Sequence, residues 1–453
     1  MHIYNLTSNT IKRAGVWILI SFFQMSCKDP GPATWPEFHG NSGNTGFTNF
    51  ESEIATRRKW SFDVGDVMYA SPAVDNDGII YIGNSTGDLF AINHNGTQKW
   101  KEHLVGQLSS PAIGSSGNIY VTNYQRITAT NHSSSLFSLD KDGHSLANWW
   151  FAFPDHGYTT APPKTWSNGK DEFIFVPVHT DKGQELFTFI NDGGAVLMKR
   201  SPANCIPDEI LNEGIENPFK FHIDPIEIEY VERLGAVAIS TIGEGENKST
   251  IVVYAANNCH LMGFILDPVQ HSMTEKWVTP GVSNYNPTPA ITTDGIILLG
   301  QGKILSAYNL IDGKKIWEFN ENNPLTGEYY GYYDAPAVLL GYSPSYNLFH
   351  HRIIAVDDKG NRQGASFYAP SASVDGATNA SPLVTTKFVY AAFPSGLYTL
   401  DLQLKEVGHI AFLPGPKTFI QSSPAIGPDG TIYMVDANGI LEAFGKSKLE
   451  RNF

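Results

Sequence analysis

The sequence predicts an all-β fold built from a repeated four-stranded unit, and three observations support this prediction. Only 17% of the 453 residues are charged, whereas 42 Gly, 27 Pro, 20 Tyr and 26 Phe favour strands and tight turns over long helices. A four-residue anchor motif recurs along the chain, and a short alternating strand recurs with it. With 42% hydrophobic residues, the chain can bury a large core.

The anchor motif is a small or hydroxyl residue, then Pro, then two further residues that are usually apolar. It occurs as "SPAV" at Ser71, "SPAI" at Ser110, "APPK" at Ala161, "TPAI" at Thr288, "APAV" at Ala335, "SPLV" at Ser381 and "SPAI" at Ser423. The wide gap between 161 and 288 leaves room for one more, degenerate unit, and the segment from His222 fills it. Turn sequences such as "DNDG" and "TTDG" follow several anchors, as expected of hairpins.

The alternating strand gives a count of eight units. It occurs as "GDLFAI" (87), "SSLFSL" (134), "QELFTF" (184), "HLMGFI" (260), "KILSAY" (303), "RIIAVD" (352), "GLYTLD" (396) and "GILEAF" (439). Several units end in an edge strand with Trp, such as "TQKWKE". Antiparallel four-stranded units repeated at this spacing predict a β-propeller with eight blades.

The two ends of the repeat predict how the ring closes. The last unit stops after its third strand, whereas the folded part begins with a lone edge strand, "RRKWSFD", from Arg57 to Asp63. We expect this N-terminal strand to complete the last blade, because pairing would remove an open sheet edge.

The N-terminus predicts export. Lys12 and Arg13 precede the apolar run 14–23, which is too short to span a bilayer. Residues 1–26 are therefore expected to be a signal peptide of the lipoprotein type, with Cys27 as the lipidated residue; an ordinary secretory signal with an incidental Cys is the alternative. Residues 27–56 are expected to be a tether and lead-in segment, and residues 57–453 the propeller.

The other two cysteines, Cys205 and Cys259, form either a disulfide or two separate buried thiols, since sequence does not give their separation. The formal charge of −14, without a basic stripe, argues against a nucleic-acid partner.

The stretch "SPAVDNDGIIYIGNSTGDLFAINHNGTQKW" resembles the repeat of pyrroloquinoline-quinone-type (PQQ-like) β-propellers, and "WPEFHGNSGNTGFTNF" resembles the lead-in of their exported members. The family includes quinoprotein dehydrogenases and lipoproteins similar to the scaffold of the outer-membrane barrel-assembly machine. The first branch implies PQQ, calcium and a vicinal disulfide near the cofactor. The sequence has no adjacent cysteines, so the resemblance favours the scaffold branch.

Two motifs that suggest chemistry are better explained as turns. The G-x-S-x-G at Gly83 falls between two strands rather than before a helix. The "DNDG" at Asp75 has Thr86 where a calcium loop needs Glu. No metal-ligand spacing occurs among the 14 histidines, so we expect no metal site and no resident cofactor, and name no catalytic residue.

The residues just before each anchor are expected to converge at one mouth of the central channel. They are rich in tyrosine and amide side chains, which suit contacts with protein or sugar. They are Met68, Tyr69, Gln107, Tyr158, Tyr285, Asn286, Tyr332, Tyr333, Asp334, Asn379 and Gln421. The alternative interpretation is that these side chains only fill the channel.

The sequence therefore predicts an exported, lipid-anchored, non-catalytic scaffold that binds protein at the bacterial cell envelope. Lys28 after Cys27, in place of an Asp retention signal, favours the outer membrane, on its periplasmic face or at the cell surface. A PQQ-dependent dehydrogenase with calcium, or a carbohydrate-binding envelope protein whose ligand is a polysaccharide, are the alternatives.

Overall fold

The computed structural model describes residues 35–50, 52–67, 70–128, 131–181, 183–190, 197–200, 234–243, 245, 248–256, 260–280, 287–301, 304–320, 337–338, 345–349, 352–369, 378, 380–415 and 422–446. Every named element in these ranges is a β-strand. Within them, no helix is long and apolar enough to cross a membrane.

The strands form sheets that we number in chain order. Strand β1 (Arg57–Asp63) belongs to the last sheet. Sheet 1 contains β2 (Ala73–Val74), β3 (Ile80–Gly83), β4 (Asp88–Ile92) and β5 (Gln98–His103). Sheet 2 contains β6 (Gln107–Leu108), β7 (Ala112–Ile113), β8 (Ile119–Arg126), β9 (His132–Ser133), β10 (Ser135–Leu139) and β11 (Ser145–Ala152). Sheet 3 contains β12 (Lys164–Ser167), β13 (Glu172–Thr180), β14 (Gly183–Ile190) and β15 (Leu197–Arg200).

Sheet 4 contains β16 (Ala238–Ile242), β17 (Ser249–Ala256), β18 (His260–Asp267) and β19 (Ser272–Pro280). Sheet 5 contains β20 (Ala290–Ile291), β21 (Ile296–Gln301), β22 (Ile304–Asn309) and β23 (Lys315–Asn320). Sheet 6 contains β24 (Ala337–Val338), β25 (Ser345–Phe349), β26 (Arg352–Val356) and β27 (Arg362–Tyr368). Sheet 7 contains β28 (Leu383–Val384), β29 (Phe388–Phe393), β30 (Gly396–Asp401) and β31 (Glu406–Ile410). Sheet 8 contains β32 (Ala425–Ile426), β33 (Ile432–Val435), β34 (Ile440–Gly445) and β1.

The all-β class and the four-stranded antiparallel blade are confirmed, but the predicted count of eight such blades is wrong. Seven sheets have four strands, so the propeller has seven blades of the predicted kind. Sheet 2 departs from the pattern because it has six strands: β6 and β9 both pair with a β8 that is longer than the repeat requires. The sequence count treated this unit as a regular repeat, because its anchor and its alternating strand are both intact.

The ring closes through the N-terminal strand, as predicted. Strand β1 pairs antiparallel with β34, with Trp60 opposite Ala443 and Asp63 opposite Ile440. The innermost strands of neighbouring sheets also contact one another, including β2 with both β7 and β32. Closure therefore joins the first strand of the ring to the last sheet.

The anchor motif links neighbouring sheets through its first residue. In three neighbouring pairs of sheets the backbone N–H of one anchor residue donates to the hydroxyl of the next anchor: Ser381 to Ser423 at 3.0 Å, Ser423 to Ser71 at 2.9 Å and Ser71 to Ser110 at 2.8 Å. In sheet 4 the equivalent residue is Ala236, whose N–H donates to Thr288 at 3.1 Å. The recurring Ser or Thr is explained by this structural role.

The edge tryptophans link neighbouring sheets at the outside of the ring. Each indole N–H donates to a carbonyl in the last turn of the next sheet, at 2.8–3.0 Å, and its ring covers a glycine in that turn. The pairs are Trp60 with Gly96, Trp100 with Gly143, Trp277 with Gly313 and Trp317 with Gly360. A Cβ on any of these glycines would lie within 3.0 Å of the indole ring. The turns therefore require glycine both for the positive φ and for the close approach.

The two ends of the ring differ. The inner strands end in four-residue turns that include Asp75–Gly78, 114–117, 292–295 and 427–430, each closed by a backbone hydrogen bond from its glycine. We call this end the turn face. The opposite end, where the chain enters each anchor and where Gln107 lies, is the rim.

Candidate functional site

Of the predicted rim residues, Gln107 and Tyr158 lie in the described part of the chain. The others fall outside the described residues: Met68, Tyr69, Tyr285, Asn286, Tyr332, Tyr333, Asp334, Asn379 and Gln421. Cys27, Cys205 and Cys259 also fall outside them, so lipidation and the disulfide stay predictions.

Gln107 and Tyr158 are brought close together by extensions of sheets 2 and 3. Gln107 in β6 pairs with Tyr124 at the far end of β8. Tyr158 forms an isolated antiparallel bridge with His179 near the end of β13, with both N–H···O distances at 2.9 Å. The rings of Tyr124 and Tyr158 lie 6.1 Å apart in an edge-on arrangement. Two predicted residues from different sheets thus share one neighbourhood.

Around Tyr158 lies an aromatic group that we call the Tyr–His cluster: Tyr124, His132, Tyr158 and His179. The ring of Tyr158 lies between those of the two histidines, 5.2 Å from His132 and 5.0 Å from His179. The hydroxyl of Tyr124 is 2.7 Å from Nδ1 of His132. Sequence reasoning missed three of the four residues, although the long insertion "TNYQRITATNHSS" inside one repeat was a usable signal.

The electrostatics of the cluster are set by partial burial. Burial lowers the pKa of His179, and the nearby charge of Asp181 opposes this shift while that of His132 adds to it. Asp181 also contacts the exposed His156, with Oδ2 and Nδ1 2.8 Å apart. The lowered pKa favours the neutral form of His179, which lies near the exposed pair of His156 and Asp181.

The surface of the rim near the cluster is suited to contact with a macromolecule. Tyr158, His132 and His179 are each partly exposed, and Ile127 in the loop after β8 is 60% exposed. Rings with polar tips give a large contact area at low entropic cost, which is why they are frequent in protein interfaces.

A second group of polar contacts lies at the centre of the ring. Residues 35–48, which we call the lead-in segment, cross the inner strands instead of forming a loose tether. Its backbone carbonyls accept hydrogen bonds of 2.7–2.9 Å from the fourth anchor residue of five sheets: Val74, Ile113, Ile239, Ile291 and Val384. Because these sheets are spread around the ring, the segment has to cross its middle.

Sheet 3 contacts the carbonyls of the lead-in segment through a lysine ammonium group instead of a backbone N–H. Its fourth anchor residue is Lys164, where the other anchors have Val or Ile, and the Nζ atom donates to the carbonyls of Phe38 at 2.7 Å and Asn41 at 2.9 Å. It also lies 3.3 Å from Oε1 of Glu37, and the two side chains are 0% and 2% exposed. Oε2 of Glu37 accepts the N–H of Thr165 at 2.9 Å. The motif "WPEFHG" and the unusual "APPK" anchor are thus two halves of one buried contact.

Burial perturbs every titratable group of this contact. It raises the pKa of Glu37, an effect opposed by the charge of Lys164. It lowers the pKa of Lys164 to about 8, opposed by Glu37. His39, packed 4.8 Å from the Phe38 ring, has its pKa lowered to about 3 by burial and, secondarily, by Lys164. These shifts follow from the burial of the three groups between the lead-in segment and the inner strands.

Within the residues that the structure describes, no three His, Cys, Asp or Glu side chains come together in a way that could hold a metal ion. The two motifs interpreted as turns are turns: Gly83–Gly87 joins β3 to β4, and Oδ1 of Asp75 accepts the N–H groups of Asp77 and Ile79 within its own turn.

The comparisons with known proteins define the fold. No family model and no curated relative matches the chain. Similar solved structures include a europium-containing methanol dehydrogenase, with 13% identity, 89% of both chains covered and a TM-score of 0.55. The crystal structure of Sqt1 from Saccharomyces cerevisiae has 9% identity over 87% of this chain and 100% of that chain, with a TM-score of 0.56. BamB from Moraxella catarrhalis has 13% identity over 89% and 97%, with a TM-score of 0.42.

The chain is therefore a β-propeller in fold. At these identities the similarity extends to the fold alone, which hosts both catalytic and purely binding proteins.

Proposed function

We propose that this protein is a non-catalytic binding scaffold that holds a protein partner at its rim, exported to the bacterial cell envelope and anchored by lipid on Cys27. The observation that carries the proposal is the Tyr–His cluster. Two sheets extend beyond the repeat, and the extensions place partly exposed rings side by side. Such extensions are not needed to close the ring or to join its sheets, because the pairing of β1 with β34, the anchors and the edge tryptophans already do this.

Site-specific photo-crosslinking in cells tests the rim. A photoreactive amino acid at Gln107 is expected to crosslink to a defined envelope protein. The same amino acid at Asp77, an exposed turn-face residue, serves as the matched control. The Tyr158→Ala and His132→Ala substitutions should reduce the Gln107 crosslink without changing the amount of folded protein. Equal crosslinking at both positions, or none at Gln107, would contradict the rim assignment.

Two biochemical outcomes would favour an enzyme or a carbohydrate-binding protein instead of a protein-binding scaffold. Saturable binding of PQQ with calcium to the purified protein would replace the scaffold with a quinone-dependent dehydrogenase. Capture of an envelope polysaccharide that depends on Tyr158 would replace the protein partner with carbohydrate.

Lipidation of Cys27 is tested separately. A Cys27→Ser variant is expected to move from the membrane fraction to the soluble fraction. If it stays in the membrane fraction as before, the anchor assignment is wrong.

A further inference from the structure

We infer that the propeller is oriented at the membrane with its turn face toward the lipid headgroups and its rim facing away from them. This inference rests on the proposed lipid anchor at Cys27. The inference adds to the anchor an assignment of which surface of the propeller contacts the lipid and which remains available to a partner.

The direction of the chain at Trp35 carries the first step. Trp35 forms an antiparallel bridge with Val74, with N–H···O distances of 3.0 and 2.9 Å in the two directions. Strand β2 runs from the rim toward the turn at Asp75–Gly78. A chain antiparallel to it at this point runs the other way, so it enters the ring from the turn face. Val74 directly precedes that turn, so Trp35 lies next to the turn face.

The length of chain between Cys27 and Trp35 carries the second step. Eight residues span at most about 29 Å when fully extended. The segment that was expected to form a tether as far as residue 56 is packed in the ring from residue 35 onward. Strand β8 has eight residues, so its rim end lies about 26 Å from its end at the turn face. A lipid on Cys27 thus keeps the turn face close to the bilayer and the rim well above it.

The composition of the turn face supports the same orientation. Val269, in the turn before β19, is 79% exposed, and Ile311, in the corresponding turn of sheet 5, is 52% exposed. These turns are adjacent, because Trp277 of sheet 4 packs on the turn of sheet 5. Lys314 nearby is exposed and paired with Asp312 at 2.8 Å. Apolar tips beside paired charges fit the surface of a zwitterionic bilayer.

Fluorescence quenching on vesicles tests the orientation. The full-length lipidated protein is reconstituted in phosphatidylethanolamine–phosphatidylcholine vesicles that carry a nitroxide on the headgroup, with a fluorescent amino acid at Val269, Ile311 or Ile127. Ile127 is the matched control, since it is a similarly exposed apolar residue on the rim. Quenching is expected to be several times stronger at Val269 and Ile311. Equal quenching at the three positions, or stronger quenching at Ile127, would overturn the orientation.

A linker insertion shows whether chain length is the cause. About twenty Gly and Ser residues after Gly31 add an average reach of roughly 25 Å. Quenching at Val269 should then fall toward the Ile127 value, and unchanged quenching would refute the length argument. The mass of the N-terminal peptide distinguishes failure of the lipid anchor from failure of the orientation. If the peptide carries no lipid, both the anchor and this inference are wrong. If it carries a lipid and the quenching is reversed, only the orientation is wrong.

Discussion

The ring centre and the rim use similar side chains in opposite ways. At the centre, Glu37, His39 and Lys164 are almost fully buried. The two charged groups contact each other, the Lys164 ammonium donates to backbone carbonyls, and the Glu37 carboxylate accepts a backbone N–H. At the rim, His132, Tyr158 and His179 are partly exposed and lie beside an exposed His–Asp pair. The polar residues at the centre are enclosed by the ring, whereas those at the rim keep exposed surface. Changes at the centre should therefore act mainly on stability, and changes at the rim mainly on binding.

The largest effect is expected from separating the buried pair. Glu37→Ala leaves the ammonium of Lys164 buried with carbonyls alone, and Lys164→Ala leaves the carboxylate of Glu37 without its cation. Each change should lower the free energy of unfolding by about 3–5 kcal/mol, measured by urea denaturation. The double variant Glu37→Leu with Lys164→Met is the control and should recover most of this loss. If both single variants are as stable as the wild type, the lead-in segment does not hold the ring together.

Acidification should weaken the centre through His39. Its pKa is about 3 in the folded protein and close to the ordinary 6.5 once unfolded, so the unfolded chain binds more protons between these values. Stability should then fall as the pH drops through this window, by up to about 1.4 kcal/mol per pH unit from this residue. The raised pKa of Glu37 acts in the opposite direction.

A difference measurement isolates the histidine. His39 has a φ of 61°, a conformation that Asn tolerates, so His39→Asn is the appropriate variant. Its unfolding free energy should depend less on pH between 6.5 and 3 than that of the wild type, because Glu37 is unchanged in both. Parallel pH profiles would show that His39 is protonated in the folded state.

The same contrast explains how much could be predicted from the sequence. Anchors and alternating strands are local patterns, so the inner strands, the hairpins and the pairing of β1 with β34 could all be predicted. The lead-in segment has no strand or helix period, and its partners lie far away along the chain, as with Asn44 and the carbonyl of Pro289. Its packing could not be predicted, although the Lys in "APPK" was a visible exception. The six-stranded sheet was missed because repeat counting ignores the length of an insertion.

A smaller effect is expected where the outer edge of one sheet meets the next, which tests whether closure depends on the centre alone. In Gly96→Ala the new methyl group would lie 2.7 Å from the ring of Trp60. The cost should be about 1 kcal/mol for the positive φ and about 1–3 kcal/mol more for moving the indole. Gly117→Ala is the matched control, since Gly117 has a similar φ of 84° and nothing within 4 Å of the new atom. Equal thermal stability of the two variants would mean that the indole contact adds little to closure.

The smallest effect is expected at the rim, where it tests directly whether the rim differs from the centre in its role. Tyr124→Phe removes the hydroxyl that lies 2.7 Å from His132, and should cost about 1 kcal/mol of stability. Repeating the substitution in a His132→Ala background gives the coupling energy between the two side chains. A coupling below about 1 kcal/mol, together with a clear loss of the Gln107 crosslink, would show that the cluster is built for binding. A coupling as large as that of Glu37 with Lys164 would instead make the rim a second structural centre, and the division of roles between the two regions would fail.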